Sequence, residues 1–296
     1  MRHLLLSGFS LCLMFSLGGC QASLPPLPSW QSSEGRTHAE LGHIIDLASG
    51  RAISPEQLVQ RLAGTPRVLV GEKHDNPDHH ALQLWLLRAM QGKRVQGSLL
   101  LEMLQPEQQP LVDKVQGQPL PANLPKALAW QEGWDWQLYG PIVREALQDR
   151  VQLLAANLSP GEMRQAYRQP APLTGKRSNA PAVKGALLEQ VRAGHCGMLP
   201  ESQLPAMLAV QQQRDRRMAE RLLSAPQPAL LFAGAYHVRK DLGIPLHLAD
   251  LGASASGETK VLLLAEVGEQ VEPGQADYVW YTAAMPEQDY CAQFRQ

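Results

Sequence analysis

Five strand-length runs built almost wholly of Val, Leu, Ala and Gly constrain this chain more than any other feature. They occupy residues 67–71, 98–102, 151–156, 229–234 and 260–264. A strand with one wet face alternates apolar and polar side chains. Runs that are apolar at nearly every position belong to strands buried on both faces, as in a parallel sheet with helices above and below. Parallel neighbours need long crossover connections, and helical patterns fill the gaps. Ser54-Pro55-Glu56-Gln57 has the form of a capping box with proline at the first helical position, and Asn76-Pro77-Asp78 opens a second helix in the same way. That second helix should run to about Met90, with Ala81, Leu84 and Trp85 on one stripe.

A longer helix is expected over residues 204–223, where Met207, Val210, Arg214 and Met218 share one face. An arginine in an apolar stripe needs a carboxylate or a ligand as partner. Residues 276–282 alternate more and read as an edge strand, while residues 160–200, with scattered Pro and Gly, read as an inserted helical lobe. The expected fold is therefore α/β: a mostly parallel central sheet flanked by helices, with a smaller helical lobe.

Ligands of open parallel sheets collect at the carboxyl ends of the strands. Gly71-Glu72-Lys73-His74 closes the first run, Glu102 ends the second, and Gly234-Ala235-Tyr236-His237 closes the fourth. Two Gly-x-x-His turns and two glutamates should then converge on one rim. Glycine allows close backbone approach there, and His and Glu supply metal ligands or proton carriers. The set Glu72, His74, Glu102 and His237 is compatible with a divalent metal, although it lacks the His-Glu-x-x-His spacing of a zinc site. The plainer alternative is that each histidine caps a helix or satisfies a buried carbonyl. His79 and His80, opening the helix beside Asp75 and Asn76, are expected to make capping contacts and a solvated face, with His80 also placed to reach inward. Trp130, Trp134, Trp136 and Tyr139 are expected to brace a lobe against the sheet, stacking on a ligand being the alternative.

The chain opens Met1-Arg2-His3, continues apolar to Phe15, and closes on Leu17-Gly18-Gly19-Cys20. Residues 1–19 read as an export signal, too short to remain as a membrane-spanning helix. Leu-Gly-Gly-Cys resembles the bacterial lipobox, which implies a diacylglyceryl group and a further acyl chain of the palmitate class on Cys20, and Gln21 behind it favours the outer membrane. Residues 20–34, rich in Pro and Ser, are expected to form a flexible tether reaching some 40 Å at about 3.1 Å per residue. The folded part would then be residues 35–296. Of 27 basic and 28 acidic residues, only Arg2 leaves with the signal, so the mature chain has no basic field for nucleic acid. Once Cys12 is removed and Cys20 is lipidated, Cys196 and Cys291 remain. In an oxidising compartment such a pair tends to form a disulfide; two separate thiols, one a soft ligand, are the alternative.

Several segments together resemble one family. They are residues 70–80, 101–103, Gly133-Trp134-Asp135-Trp136 with Tyr139, His195-Cys196-Gly197, residues 211–215 with Met218-Ala219, residues 233–237, and Asp289-Tyr290-Cys291. In this order they are similar to the ChaN family of iron-regulated haem-binding lipoproteins, within the Tiki and erythromycin-esterase-like superfamily. The resemblance implies a role in haem or iron uptake, with non-covalent b-type haem held through a tyrosine at a homodimer contact and an outer-membrane haem receptor as a further partner. Tyr139, Tyr167 and Tyr236 are the candidate axial ligands, and Arg164, Arg168 and Arg214 the candidate propionate partners. For catalytic relatives of the superfamily, the resemblance points instead to hydrolysis by His74, Glu102 and His237, with Glu72 as fourth member and Arg214 orienting, with or without a metal.

Overall fold

The computed structural model describes residues 23–149, 151–253 and 258–292; the expected export signal and Cys20 lie outside them. Eight strands form one sheet: β1 (Ile44–Asp46), β2 (Arg51–Ile53), β3 (Arg67–Glu72), β4 (Ser98–Leu101), β5 (Gln152–Ala155), β6 (Ala229–Gly234), β7 (Thr259–Glu266) and β8 (Tyr278–Thr282). Their order is β2-β1-β8-β7-β3-β6-β4-β5. The block from β8 to β5 is parallel throughout, and only the β1–β2 and β1–β8 pairs are antiparallel. The five apolar runs are β3 to β7, buried on both faces as their composition requires.

The helices are α1 (Pro55–Ala63), α2 (Pro77–Gln91), α3 (Gln109–Val115), α4 (Leu124–Ala127), α5 (Trp136–Gln148), α6 (Pro160–Arg168), α7 (Pro181–Gly194), α8 (Leu204–Ser224), α9 (Ala235–Val238) and α10 (Ile244–Asp250). Ser54 forms the capping box of α1, and the Asn76 side chain accepts from the backbone N–H groups of Asp78 and His79 to start α2. Strand side chains sort by parity. Val68, Val70, Leu99, Leu101 and Phe232 join α1, α2 and α5 in one core, whereas Leu69, Leu100, Leu231 and Ala233 join α8 and α10 in the other. The connection after β3 therefore leaves toward one face and that after β6 toward the other, which opens a crevice between neighbouring strands at their carboxyl ends.

Residues 276–282 do not form an edge. β8 is enclosed by β7 and β1, because a short β1–β2 hairpin that carries little apolar signal covers its outer side. The expected tether is also corrected in its described part. Leu24 and Trp30 pack on the core, the indole of Trp85 donates to the Pro25 carbonyl at 2.9 Å, and the N–H groups of Gln31 and Ser32 donate to Asp78. Proline and serine make a segment poor in regular structure, but they do not keep it off a surface that satisfies its backbone.

Helices α6 and α7 pack on α8, with Leu187, Leu208 and Leu242 as a small core of their own. Cys196, just beyond α7, is bonded to Cys291, which joins the lobe to the carboxyl-terminal segment. Among the described residues no helix is long and apolar enough to cross a membrane.

Candidate functional site

Parity along the strands decides where the two glutamates go. Glu72 follows Val68 and Val70 at spacings of two and points to the α5 side, while Glu102 follows Leu100 and points to the α8 side. Both carboxylates are buried, so each must be paired.

On the α5 side, Glu72 Oε1 accepts from the Tyr139 hydroxyl at 3.0 Å and from His74 Nδ1 at 2.7 Å. His80 Nε2 lies 3.0 Å from the His74 carbonyl, and the edge of Trp134 meets the His74 ring at 4.9 Å. Burial works against charge on His74, but the hydrogen bond and charge of Glu72, aided by Glu102, outweigh it and lift its pKa to about 9. His74 is thus an imidazolium at neutral pH with 44% of its side chain exposed. Burial and the neighbouring Glu72 carboxylate together push the Tyr139 phenol far above its ordinary value, so it stays a neutral donor.

On the α8 side, Gln211, Arg214, Asp215 and Met218 share one stripe of the helix. Arg214 donates through Nη2 to Glu102 Oε1 and through Nε to the Asn157 side chain at 3.1 Å, so Glu102 is the carboxylate its position in an apolar stripe demands. The Gly234 N–H donates to Glu102 Oε2 at 2.7 Å, and His237 Nε2 stands 3.5 Å from Oε1. Burial alone would raise the pKa of Glu102. His237, Arg214 and His74 reverse this and hold it at about 2. His237 Nδ1 donates to Asp215 at 2.5 Å, with Gln211 3.1 Å from the same nitrogen.

The two halves meet at Gly234. A methyl group there would lie 2.9 Å from both Cε1 and Nε2 of His74 and 3.6 Å from Glu102 Oε2, so only glycine lets the two turns close on each other. His74, Glu102, His237 and Arg214 are in this way brought to one rim. In front of it lies a half-open cavity of about 650 Å³, lined by Leu263 and Val271, by the polar Gln190, Gln211, Glu269 and Gln275, and by Lys73, Arg239 and Tyr236. Tyr236 is 54% exposed. The Tyr236 phenol, the apolar lining and two cations, Lys73 paired with Glu266 and Arg239 paired with Asp241, are groups that a flat apolar disc with two carboxylates would use, and the cavity is of ligand size.

Other expected residues fall elsewhere. Tyr139 is enclosed and engaged with Glu72, so it does not present its oxygen to a ligand. Tyr167, Arg164 and Arg168 lie exposed on α6 and line no part of the cavity, because α6 is held on α8 by the pairing of Glu162 with Arg217. Among the described residues no group of three or more His, Cys, Asp or Glu side chains is arranged to hold a metal. The expected metal set is not grouped, because strand parity sends Glu72 to the α5 side and Glu102 to the α8 side of the sheet. His79 and His80 are buried rather than solvated. His79 accepts from the Lys73 N–H and faces the Thr282 hydroxyl, and burial with His80 and Lys73 nearby keeps it neutral. The tryptophans brace the neighbourhood of Tyr139: Trp130 meets Trp136 edge-on at 5.0 Å. Asp215 and Asn157 are site residues that the sequence reading gave no role. The i, i+4 spacing of Gln211 and Asp215 beside Arg214 was the available signal for the first.

A buried rim of carboxylates, histidines and an arginine beside an open cavity, at the carboxyl ends of a parallel sheet, defines an α/β protein with a candidate small-ligand site between its two Gly-x-x-His turns. Residues 58–248 match the family described as haem-binding uptake, Tiki superfamily, ChaN, and the chain belongs to that family. Its structure is similar to that of ChaN of Campylobacter jejuni, a protein described by its cofacial haem binding. The TM-score is 0.73 and the identity 31%, covering 80% of this chain and 95% of that one. More distant are a Bacillus cereus protein (12% identity, 71% and 68% covered, TM-score 0.43) and an erythromycin esterase in its open conformation (13%, 81% and 81%, TM-score 0.44). No curated protein matches the chain.

Proposed function

We propose that this chain binds haem non-covalently in the cavity beside Tyr236 and takes part in haem uptake as an outer-membrane lipoprotein anchored through Cys20. The observation that carries the reading is the half-exposed phenol of Tyr236, set in the same turn as buried His237 and lining the same cavity as Leu263 and Val271. In this reading Tyr236 would hold the haem iron, and Leu263 and Val271, on one side of the sheet, would offer apolar surface to the ring. Lys73, paired with Glu266, and Arg239, paired with Asp241, line the cavity with the His74 imidazolium and would be the partners of its carboxylates. Haem, when bound, supplies an iron centre with an exchangeable axial position. The cavity is open on one side, so a second copy of the chain closes it, and an outer-membrane receptor exchanges the ligand.

Titrating haemin into the soluble chain that begins after Cys20 tests this. A saturable shift of the Soret band with a mass increase to the dimer is expected. No saturable change at micromolar protein would remove the haem reading.

A second reading rests on the array Asp215–His237–Glu102–Arg214, which gathers more buried charge than a cofactor wall needs. There His237, oriented by Asp215, would carry a proton for metal-free hydrolysis, with His74 as the acid. Turnover of an ester panel that disappears in His237→Ala would support it.

A further inference from the structure

We propose that the flank formed by Leu24, Pro26, Leu27 and Pro28 over α2 rests directly on the lipid surface, so that the helical lobe points away from the membrane. The inference rests on the reading that Cys20 carries the lipid. The chain is docked from Leu24 onward: Leu24 and Trp30 pack on the core, Trp85 holds the Pro25 carbonyl, and Asp78 takes the N–H groups of Gln31 and Ser32. Arg36 fastens the same stretch by donating to the carbonyls of Trp30, Gln31 and Ser32, and Glu34 bridges to Ala284.

Only four residue steps therefore separate the acylated cysteine from a fixed point on the body. Fully extended they reach about 14 Å, roughly twice the depth of one headgroup layer, so the docked segment is held within about 10 Å of the headgroups. The surface at the leash's root is apolar for its position, with Leu27 51% exposed among prolines. The segment runs along α2 on the face of the sheet that α1, α2 and α5 cover. Helices α6 and α7 stand on α8, whose Met218, Ala219 and Leu222 belong to the opposite core. Anchoring one face by so short a leash turns the other outward.

The test uses the lipidated full chain in phosphatidylethanolamine–phosphatidylglycerol vesicles, with a fluorophore on Leu27→Cys or, separately, on Tyr167→Cys in the lobe. Cys196 and Cys291 stay bonded to each other and take no label. Nitroxide-bearing lipid should quench the label at 27 about threefold or more beyond the label at 167, as for a residue at the headgroup boundary. Equal quenching in protein that floats with the vesicles overturns the orientation alone. Protein that does not float, or whose amino-terminal peptide lacks acyl mass, brings down the anchor and the orientation together.

Discussion

His74 and Glu72, two residues apart where β3 ends, face each other across a 2.7 Å hydrogen bond that keeps a charged imidazole at the mouth of the cavity. Ring-nitrogen NMR should give His74 a midpoint near 9, and Glu72→Gln should bring it back toward 6.5. Because the folded value is raised, the stabilisation from this pair is whole below about pH 6.5 and is lost as pH rises through about 9. Denaturant midpoints at pH 6 and pH 10 should differ in that sense in the parent and less in the variant.

In the proposed reading, haem binding depends on one tyrosine of the three named from sequence. Tyr236→Phe should lose the tyrosinate signature and weaken haemin at least about tenfold, which is about 1.4 kcal/mol. Tyr167→Phe should leave both unchanged, since its ring lies on the outer side of α6. Equal effects would remove Tyr236 from the site.

Arg214 is the cation that makes a buried Glu102 carboxylate tolerable. Arg214→Met should cost about 3–5 kcal/mol, the range for one partner of a buried pair, and adding Glu102→Gln should return part of it. The depressed pKa of Glu102 gives a second handle: its contribution is present above about pH 4.5 and is lost as pH falls through about 2. Acid unfolding of the parent against Glu102→Gln measures it.

Gly234→Ala should act on His74 rather than on the fold at large. The added methyl group would sit 2.9 Å from two atoms of that ring and force it aside, at about 1–3 kcal/mol for an overpacked position. The expected readout is a displaced His74 titration with helix content unchanged by circular dichroism.

Cys196→Ser opens a loop of 95 residues that ties the lobe to the carboxyl-terminal segment. In the chain-entropy account this lowers stability by up to roughly 4–5 kcal/mol. A denaturant midpoint that falls equally in the variant and in the reduced parent is the expected result.

Much of the fold was legible because burial on both faces leaves its mark on every residue of a strand. β3 to β7, α2 and α8 lie where the apolar runs and capping residues put them. The β1–β2 hairpin left little such mark: its strands are three residues each and its outer strand is largely exposed. The site was legible in part for a related reason. Strand ends announce themselves, so His74, Glu102 and His237 could be named, and an arginine in an apolar stripe announces that it has a partner. Asp215 did not stand out, because an acidic residue on a helix reads as solvated until something is packed over it. Tyr139 was visible only as an aromatic among tryptophans, and its engagement with Glu72, 67 residues earlier, is a matter of where α5 lies on the sheet.

The sequence alone determined that β3 to β7 are strands, that these run parallel, and that residues two apart share a face, because these follow from local chemistry and a fixed backbone period. Tertiary structure decided which side chains share the rim. Arg214 meets Glu102 across 112 residues, and Leu24 finds a surface to lie on, only after helices settle on the sheet. Packing of distant elements sets those distances, and nothing local in the chain encodes them.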